Sequence, residues 1–239
     1  SAVLLLDAGP AHGIRTSAMP QVTVIDRDGL VRSPARLRAV YGLLARAHYR
    51  TSPSDLHHLL DDPGVQIHVV QMDEAVVAVG WLVADGALDE ETIAAVERGV
   101  RLRGAALAES LICHSGRADA GGLTMWRSVR TVVHPELRGR GLARRLVDHE
   151  HAVHGDADLI GTMFGATADL IRMRQAMGYV LVRLGLSRSA RSGVPSVVML
   201  RPVSARARAL VAGLRRDLAR DLPGQLERLS DGAGVPLEP

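Results

Sequence analysis

Ser128-Val-Arg-Thr-Val-Val-His-Pro-Glu-Leu-Arg-Gly-Arg-Gly-Leu-Ala-Arg-Arg-Leu146 is the stretch that decides the fold. A β-branched run from Arg127 to Val133 predicts a strand that ends at His134-Pro135. Gly139 and Gly141 follow in a turn, and Leu142 opens a helix predicted to reach His151. Two glycines let the backbone turn tightly and approach a ligand closely. Free N–H groups at the start of the helix then form an anion site. The window 127–145 adds six arginines against the single Glu136. An ordinary glycine-rich turn with surface arginines is the alternative reading.

Working outward, strand and helix signals alternate along the chain. A strand is predicted at Val22–Ile25, and Ser33-Pro34 starts a helix with Leu37, Val40, Tyr41 and Leu44 on one face. Ser52-Pro53 starts another, with Asp55 completing a capping box, and Asp61-Asp62-Pro63-Gly64 stops it. Val65–Gln71 and Ala75–Ala84 predict a hairpin, and Asp89 predicts a helix cap. Residues 101–122 lack periodicity and read as an inserted loop region. Downstream come a strand at Leu159–Phe164, a helix at Ala168–Met177, and strands at Tyr179–Leu184 and Val194–Leu200. Ser204 caps a terminal helix that Pro223-Gly224 should end, leaving 225–239 frayed.

Composition bounds the function. The 239 residues contain no lysine and no asparagine, so all 29 basic residues are arginine. A Walker A phosphate loop, a pyridoxal Schiff base and N-glycosylation are thereby excluded for this chain. Cys113 is the single cysteine, which excludes an internal disulfide and a cysteine-rich zinc site. A reducing cytoplasm is the expected compartment. The longest apolar run, Ala75–Ala84, is about half the ~20 residues of a membrane helix. The opening Ala2–Leu6 run lacks a basic flank and is not expected to be a signal peptide.

The Arg138-x-x-Gly141-x-Ala143 spacing resembles the pyrophosphate loop of GNAT-superfamily acetyltransferases. Val40 to Leu56, Arg130 to Pro135, Phe164-Gly-Ala-Thr167 and Gly178 to Gly185 followed by Ser192-Gly193 further resemble, in order, bacterial tRNA(Met) cytidine acetyltransferases. The resemblance implies an α/β GNAT fold: a mixed, twisted central sheet flanked by helices, here with an extra C-terminal helix. It implies acetyl-CoA as cofactor, held by Thr131, Val132, Val133, Arg138, Gly139, Arg140, Gly141, Leu142, Ala143 and Arg144, with Asp169 nearby. It implies acetyl transfer to an amine, foremost the exocyclic amine of a tRNA cytidine. Other acceptors are a small-molecule or protein amine, and a non-catalytic acyl-CoA-binding module is the remaining alternative. The expected organisation is a lead-in over 1–33, the acetyltransferase domain over 34–203, and a basic helix and tail over 204–239. Full-length members carry a helicase-like module upstream and an RNA-binding tail downstream, neither of which is expected in this chain.

Three residues depart from the pattern. Arg101-Leu-Arg-Gly-Ala-Ala-Leu-Ala-Glu-Ser-Leu111 has Ala105 for a polar residue and Glu109 for a Gln, and Arg174 stands where many GNAT enzymes place a tyrosine. Glu109 is the candidate base, with a solvated loop residue as its alternative. His134 is a second candidate, its alternative being a cap at the strand end. Around Glu150, His149, His151 and His154 miss the H-E-x-x-H spacing because Val153 holds the required position, so a solvated helix end is expected there. His57-His58 reads as surface, and Cys113-His114 as too close in sequence for a nucleophile pair. Arg206, Arg208, Arg215, Arg216 and Arg220 on the terminal helix are the candidate tRNA contacts. Two Trp, three Tyr and one Phe argue against base-stacking platforms.

Overall fold

A computed structural model describes residues 19–25, 27–46, 61–190 and 192–231. The elements, in chain order, are β1 (Gln21–Ile25), α1 (Arg27–Arg32), α2 (Pro34–Arg46), β2 (Val65–Met72), β3 (Ala75–Gly86), α3 (Glu90–Glu97) and α4 (Ala106–Ser115). There follow β4 (Thr124–Val133), α5 (Leu142–Val153), β5 (Leu159–Gly165), α6 (Ala168–Ala176), β6 (Val180–Arg188), β7 (Pro195–Pro202) and α7 (Ala205–Asp231). The α/β class and the added C-terminal helix are as expected. The helix predicted at Ser52-Pro53 and His57-His58 lie outside the described residues. No helix of the described residues is long and apolar enough to cross a membrane.

The chain forms two units, Ser1–Val83 with Ser128–His154, and Ala84–Arg127 with Gly155–Pro239. In the first unit β1, β2 and β3 pair antiparallel, with Ile25 opposite Ile67 and Met72 opposite Ala75. Asp73 turns the hairpin at φ 53°, a conformation aspartate tolerates better than most side chains. Successive residues of these strands face opposite sides. Ile67, Val69, Val79, Trp81 and Val83 meet Leu30, Val40, Leu43 and Leu44 of α1 and α2, while Val70, Met72 and Ala78 meet Leu142 and Leu146 of α5. Coverage on both faces explains why the hairpin reads as nearly continuous apolar sequence. Gly80 admits α5: a Cβ there would stand 2.0 Å from Glu150 Oε1.

In the second unit β5 and β6 both pair antiparallel with β7. Leu107 and Leu111 of α4 and Leu210, Leu214 and Val211 of α7 share one core with Leu159, Val198 and Leu200. Ser204 caps α7, accepting from Ala207 N–H at 3.1 Å, and Asp89 caps α3 through Thr92 N–H at 2.7 Å, both as predicted.

Two expectations fail here. The stretch read as an inserted loop holds α4, because every residue from Leu107 to Ile112 is buried and a helix covered on all sides shows no apolar stripe. Ala105 supplies no cap, so Asp85 from β3 takes that role, accepting from Leu107 and Ala108 N–H at 3.0 Å each while Arg127 Nε lies 3.1 Å away. The terminal helix also runs on through Pro223 to Asp231. Leu229 beyond the proline is buried, and its carbonyl accepts from Arg188 at 3.3 Å, which holds the last turns in place.

Candidate active site

Strand β4 is fixed near its end by Val132, buried in the apolar cluster of the first unit. His134 N–H donates to Val77 O at 2.8 Å, and Pro135–Leu137 makes one tight turn closed by Leu137 N–H on His134 O at 2.9 Å. Leu137 is buried with Leu142 and Leu146, so the turn is pinned at both ends. Between those pins Gly139 and Gly141 each take φ +76°, which a side chain would strain. Nothing lies within 4 Å of where a Cβ would stand on either glycine. Gly141 gives α5 no side-chain cap, and the first helical bond is Arg145 N–H to Gly141 O at 3.0 Å. The leading amides of α5 therefore sit at the positive end of a twelve-residue helix beside open space. Such a cradle suits a phosphate.

The arginines around it divide by partner. Arg138 and Arg140 are exposed and carry no ion pair among the described residues. Arg144 stands 3.5 Å from Asp148, and Arg145 reaches the Pro20 carbonyl at 3.4 Å. Thr131 and Val133 are half-buried on β4, with Thr131 Oγ1 3.3 Å from Ser128 Oγ. Asp169 sits in the second unit, on the first turn of α6, exposed and bonded to Arg172 at 2.6 Å.

The two candidate bases differ in their surroundings. Glu109 lies on α4, buried rather than solvated. Its Oε1 takes Arg101 Nη1 at 2.5 Å and its Oε2 takes Leu102 N–H at 3.1 Å. Burial works to raise its pKa, but the Leu102 amide and the Arg101 guanidinium outweigh it and hold the carboxyl below the usual range. The backbone of His134 does cap the strand end. Its imidazole is buried, and neither ring nitrogen has a hydrogen-bond partner among the described residues. Arg174, in place of the tyrosine, is buried on α6 with its guanidinium 5.2 Å from the Tyr179 ring centre. The Cys113 thiol donates a hydrogen bond to Val96 O at 3.2 Å.

Around Glu150 the helix end is not solvated. Glu150 and His154 are buried, and His68 from β2 meets both His149, with their Nδ1 atoms 3.2 Å apart, and His154. Burial, with His154 and His149 beside it, lowers the His68 pKa to about 3. Among the described residues no group of three or more His, Cys, Asp and Glu side chains is arranged to hold a metal ion. His68 escaped sequence reading because its partners lie some eighty positions away.

On α7, Arg220 pairs with Asp217 at 3.3 Å and Asp221 at 2.9 Å, and Arg208 bonds Val203 O at 2.6 Å. Arg206 acts electrostatically on Asp158, a carboxyl held low by Ser204 and Thr124 against its own burial. Arg215 and Arg216 are exposed without an ion pair among the described residues.

No protein-family model matches the chain. The tRNA(Met) cytidine acetyltransferase TmcA of Nitrosococcus halophilus is 41% identical over 231 residues, 93% of this chain and 31% of the relative. The protein of the same name from Yersinia pestis is 38% identical over 192 residues, 79% of this chain and 28% of the relative. The chain thus spans about a third of the length of these relatives. Among solved structures, a chain of the NatC complex bound to Gag peptide and CoA superposes with a TM-score of 0.53 at 11% identity, over 77% of this chain and 99% of that one. The chain is thus similar in sequence to a segment of the tRNA(Met) cytidine acetyltransferases, and it shares the fold of that chain of the NatC complex.

Proposed function

We propose that this chain moves an acetyl group from acetyl-CoA to the exocyclic amine of a tRNA cytidine. The observation that carries the reading is the pair of left-handed glycines, Gly139 and Gly141, opening onto the uncapped start of α5. Acetyl-CoA supplies an acyl group activated as a thioester. The amides of residues 139–143, with Arg138, Arg140 and Arg144 around them, hold its pyrophosphate. The backbone of Thr131, Val132 and Val133 is assigned to the pantetheine arm. Asp169, also assigned to the cofactor by resemblance, offers a solvated carboxylate already bonded to Arg172.

A cytidine amine is a weak nucleophile because its lone pair is delocalised into the ring. Its transfer depends on positioning, on polarising the acyl carbonyl and on a group that accepts the amine proton. We assign that acceptor to His134, whose imidazole carries no hydrogen bond among the described residues, whereas both oxygens of Glu109 hold donors. The acceptor substrate is supported by the names of the relatives, and Arg215 and Arg216 give phosphate contacts that position RNA without reading its sequence. Action in a reducing cytoplasm agrees with the single cysteine.

The test is release of CoA from acetyl-CoA with tRNA, with a polyamine or peptide amine, and with no acceptor. The reading predicts release that depends on tRNA and an acetylated cytidine in the product. Release that follows the simple amines and ignores tRNA overturns it.

A further inference from the structure

In the second unit a recess of about 300 Å³ opens between the end of α4, strand β6 and helix α7. His114, Arg117, Arg183, Asp217, Arg220 and Gln225 are among its lining side chains. Most of its charges are matched. Arg220 pairs with Asp217 and Asp221, and Arg117 gives Nε and Nη2 to Asp119 at 2.8 and 2.6 Å. Arg183 is the exception. It is half-buried and has neither a carboxylate nor a hydrogen-bond partner among the described residues. Burial pushes its pKa down, and Arg183 in turn helps burial to lower that of His114.

The backbone explains how a guanidinium comes to be there. Leu181 pairs with Met199 and Arg183 with Val198, so Val182 is an extra residue on β6 opposite a single step of β7. Such a bulge breaks the alternation of the strand and re-aims the next side chain, and bulges gather beside functional sites. Val182 keeps its place in the core. Also lining the recess, the Gln225 amide has a buried oxygen with no partner among the described residues. An amide can present its NH₂ group as readily as its oxygen, so it too is a free polar contact. A charge partly removed from water and left uncompensated persists where a ligand neutralises it.

We propose that this recess is an oxyanion subsite in which Arg183 anchors a phosphate group, with the free Nη1 of Arg117 and the Gln225 amide beside it. The phosphate has two chemical sources, a phosphodiester of bound RNA or a free phosphate. The RNA source rests on the tRNA reading above; the subsite itself does not.

The experiment titrates inorganic phosphate by calorimetry, and labelled tRNA by fluorescence anisotropy over a salt series. Both use the whole chain and its Arg183→Gln, Arg183→Lys and Gln225→Ala variants. Arg183→Gln is expected to weaken phosphate binding at least tenfold and Gln225→Ala about threefold, while Arg183→Lys keeps most of it and acetyl-CoA affinity stays unchanged. Its Tm is expected to hold or rise, since an uncompensated charge is removed. If the source is RNA, Arg183→Gln also makes the log–log salt slope for tRNA shallower by about one unit. Loss of phosphate binding with an unchanged tRNA slope assigns the subsite to free phosphate. A wild type that binds phosphate but no tRNA ends the tRNA reading and leaves the subsite standing. Phosphate affinity indifferent to Arg183→Gln and Gln225→Ala, or no phosphate binding at all together with an unchanged tRNA slope, overturns the proposal.

Discussion

Arg101 Nη1 lies 2.5 Å from Glu109 Oε1, and the next residue along, Leu102, closes the other carboxylate oxygen with its N–H. The pair ties the segment before α4 to the helix. It also determines what Glu109 can do chemically, because an acceptor already holding two donors is a poor base.

Glu109→Gln keeps the shape and removes the charge. The account predicts kcat within a few-fold of the parent and an unchanged acetyl-CoA affinity. A loss of roughly 100-fold in kcat at constant affinity would instead make Glu109 the base. Its depressed pKa stabilises the fold above the ordinary carboxylate range, and that contribution fades as pH falls through the lowered value. With Arg101 mostly exposed, the pair contributes under about 1 kcal/mol. Urea unfolding of parent and variant should therefore differ only slightly at pH 7, and the difference should shrink as pH is lowered below the ordinary carboxylate range.

His68 gives the pH dependence its clearest source. The folded chain keeps this imidazole neutral down to about pH 3, whereas an unfolded histidine takes a proton near 6.5. Between those values the unfolded state binds the extra proton, so stability falls as pH falls, by up to ~1.4 kcal/mol per pH unit for this one group. His149, His154 and Gln66 stand beside it. Unfolding free energies at pH 7, 6 and 5 should lose most of this slope in His68→Leu. An identical slope in parent and variant would refute the assignment.

Much of this was legible in sequence where the cause is local. Ser33, Asp89 and Ser204 cap helices where their spacing predicted, and the cradle is written in Gly139, Gly141 and the arginines between and beyond them. Helix α4 was illegible because burial on every side erases its period. The role of Asp85 as its cap was illegible too, because donor and acceptor are 22 and 23 positions apart. Arg183 could not be singled out among 29 basic residues, since a bulge rather than a motif directs it. The extension of α7 past Pro223 is set by the docking of Leu229, which outweighs the local helix-breaking signal.

Reversing Arg215 and Arg216 to Glu tests the α7 surface. From Arg201 to Arg220 the chain holds six arginines and one aspartate, but Arg220 and Arg208 are already engaged. With roughly three phosphates met, log affinity for tRNA should fall against log salt with a slope near −2 to −3, shallower in the reversed protein. Acetyl-CoA affinity should not move. A tRNA affinity independent of salt, or indifferent to the reversal, would remove α7 as an RNA surface.

Calorimetric titration of acetyl-CoA into the parent, Gly141→Ala and Gly141→Glu tests the cradle itself. Alanine adds only the strain of a side chain at φ +76°, while glutamate also sets a carboxylate over the leading amides of α5. The account predicts saturable binding to the parent, a loss of roughly tenfold in Gly141→Ala and no measurable binding in Gly141→Glu at unchanged fold. Affinity in Gly141→Glu equal to that of the parent would contradict it.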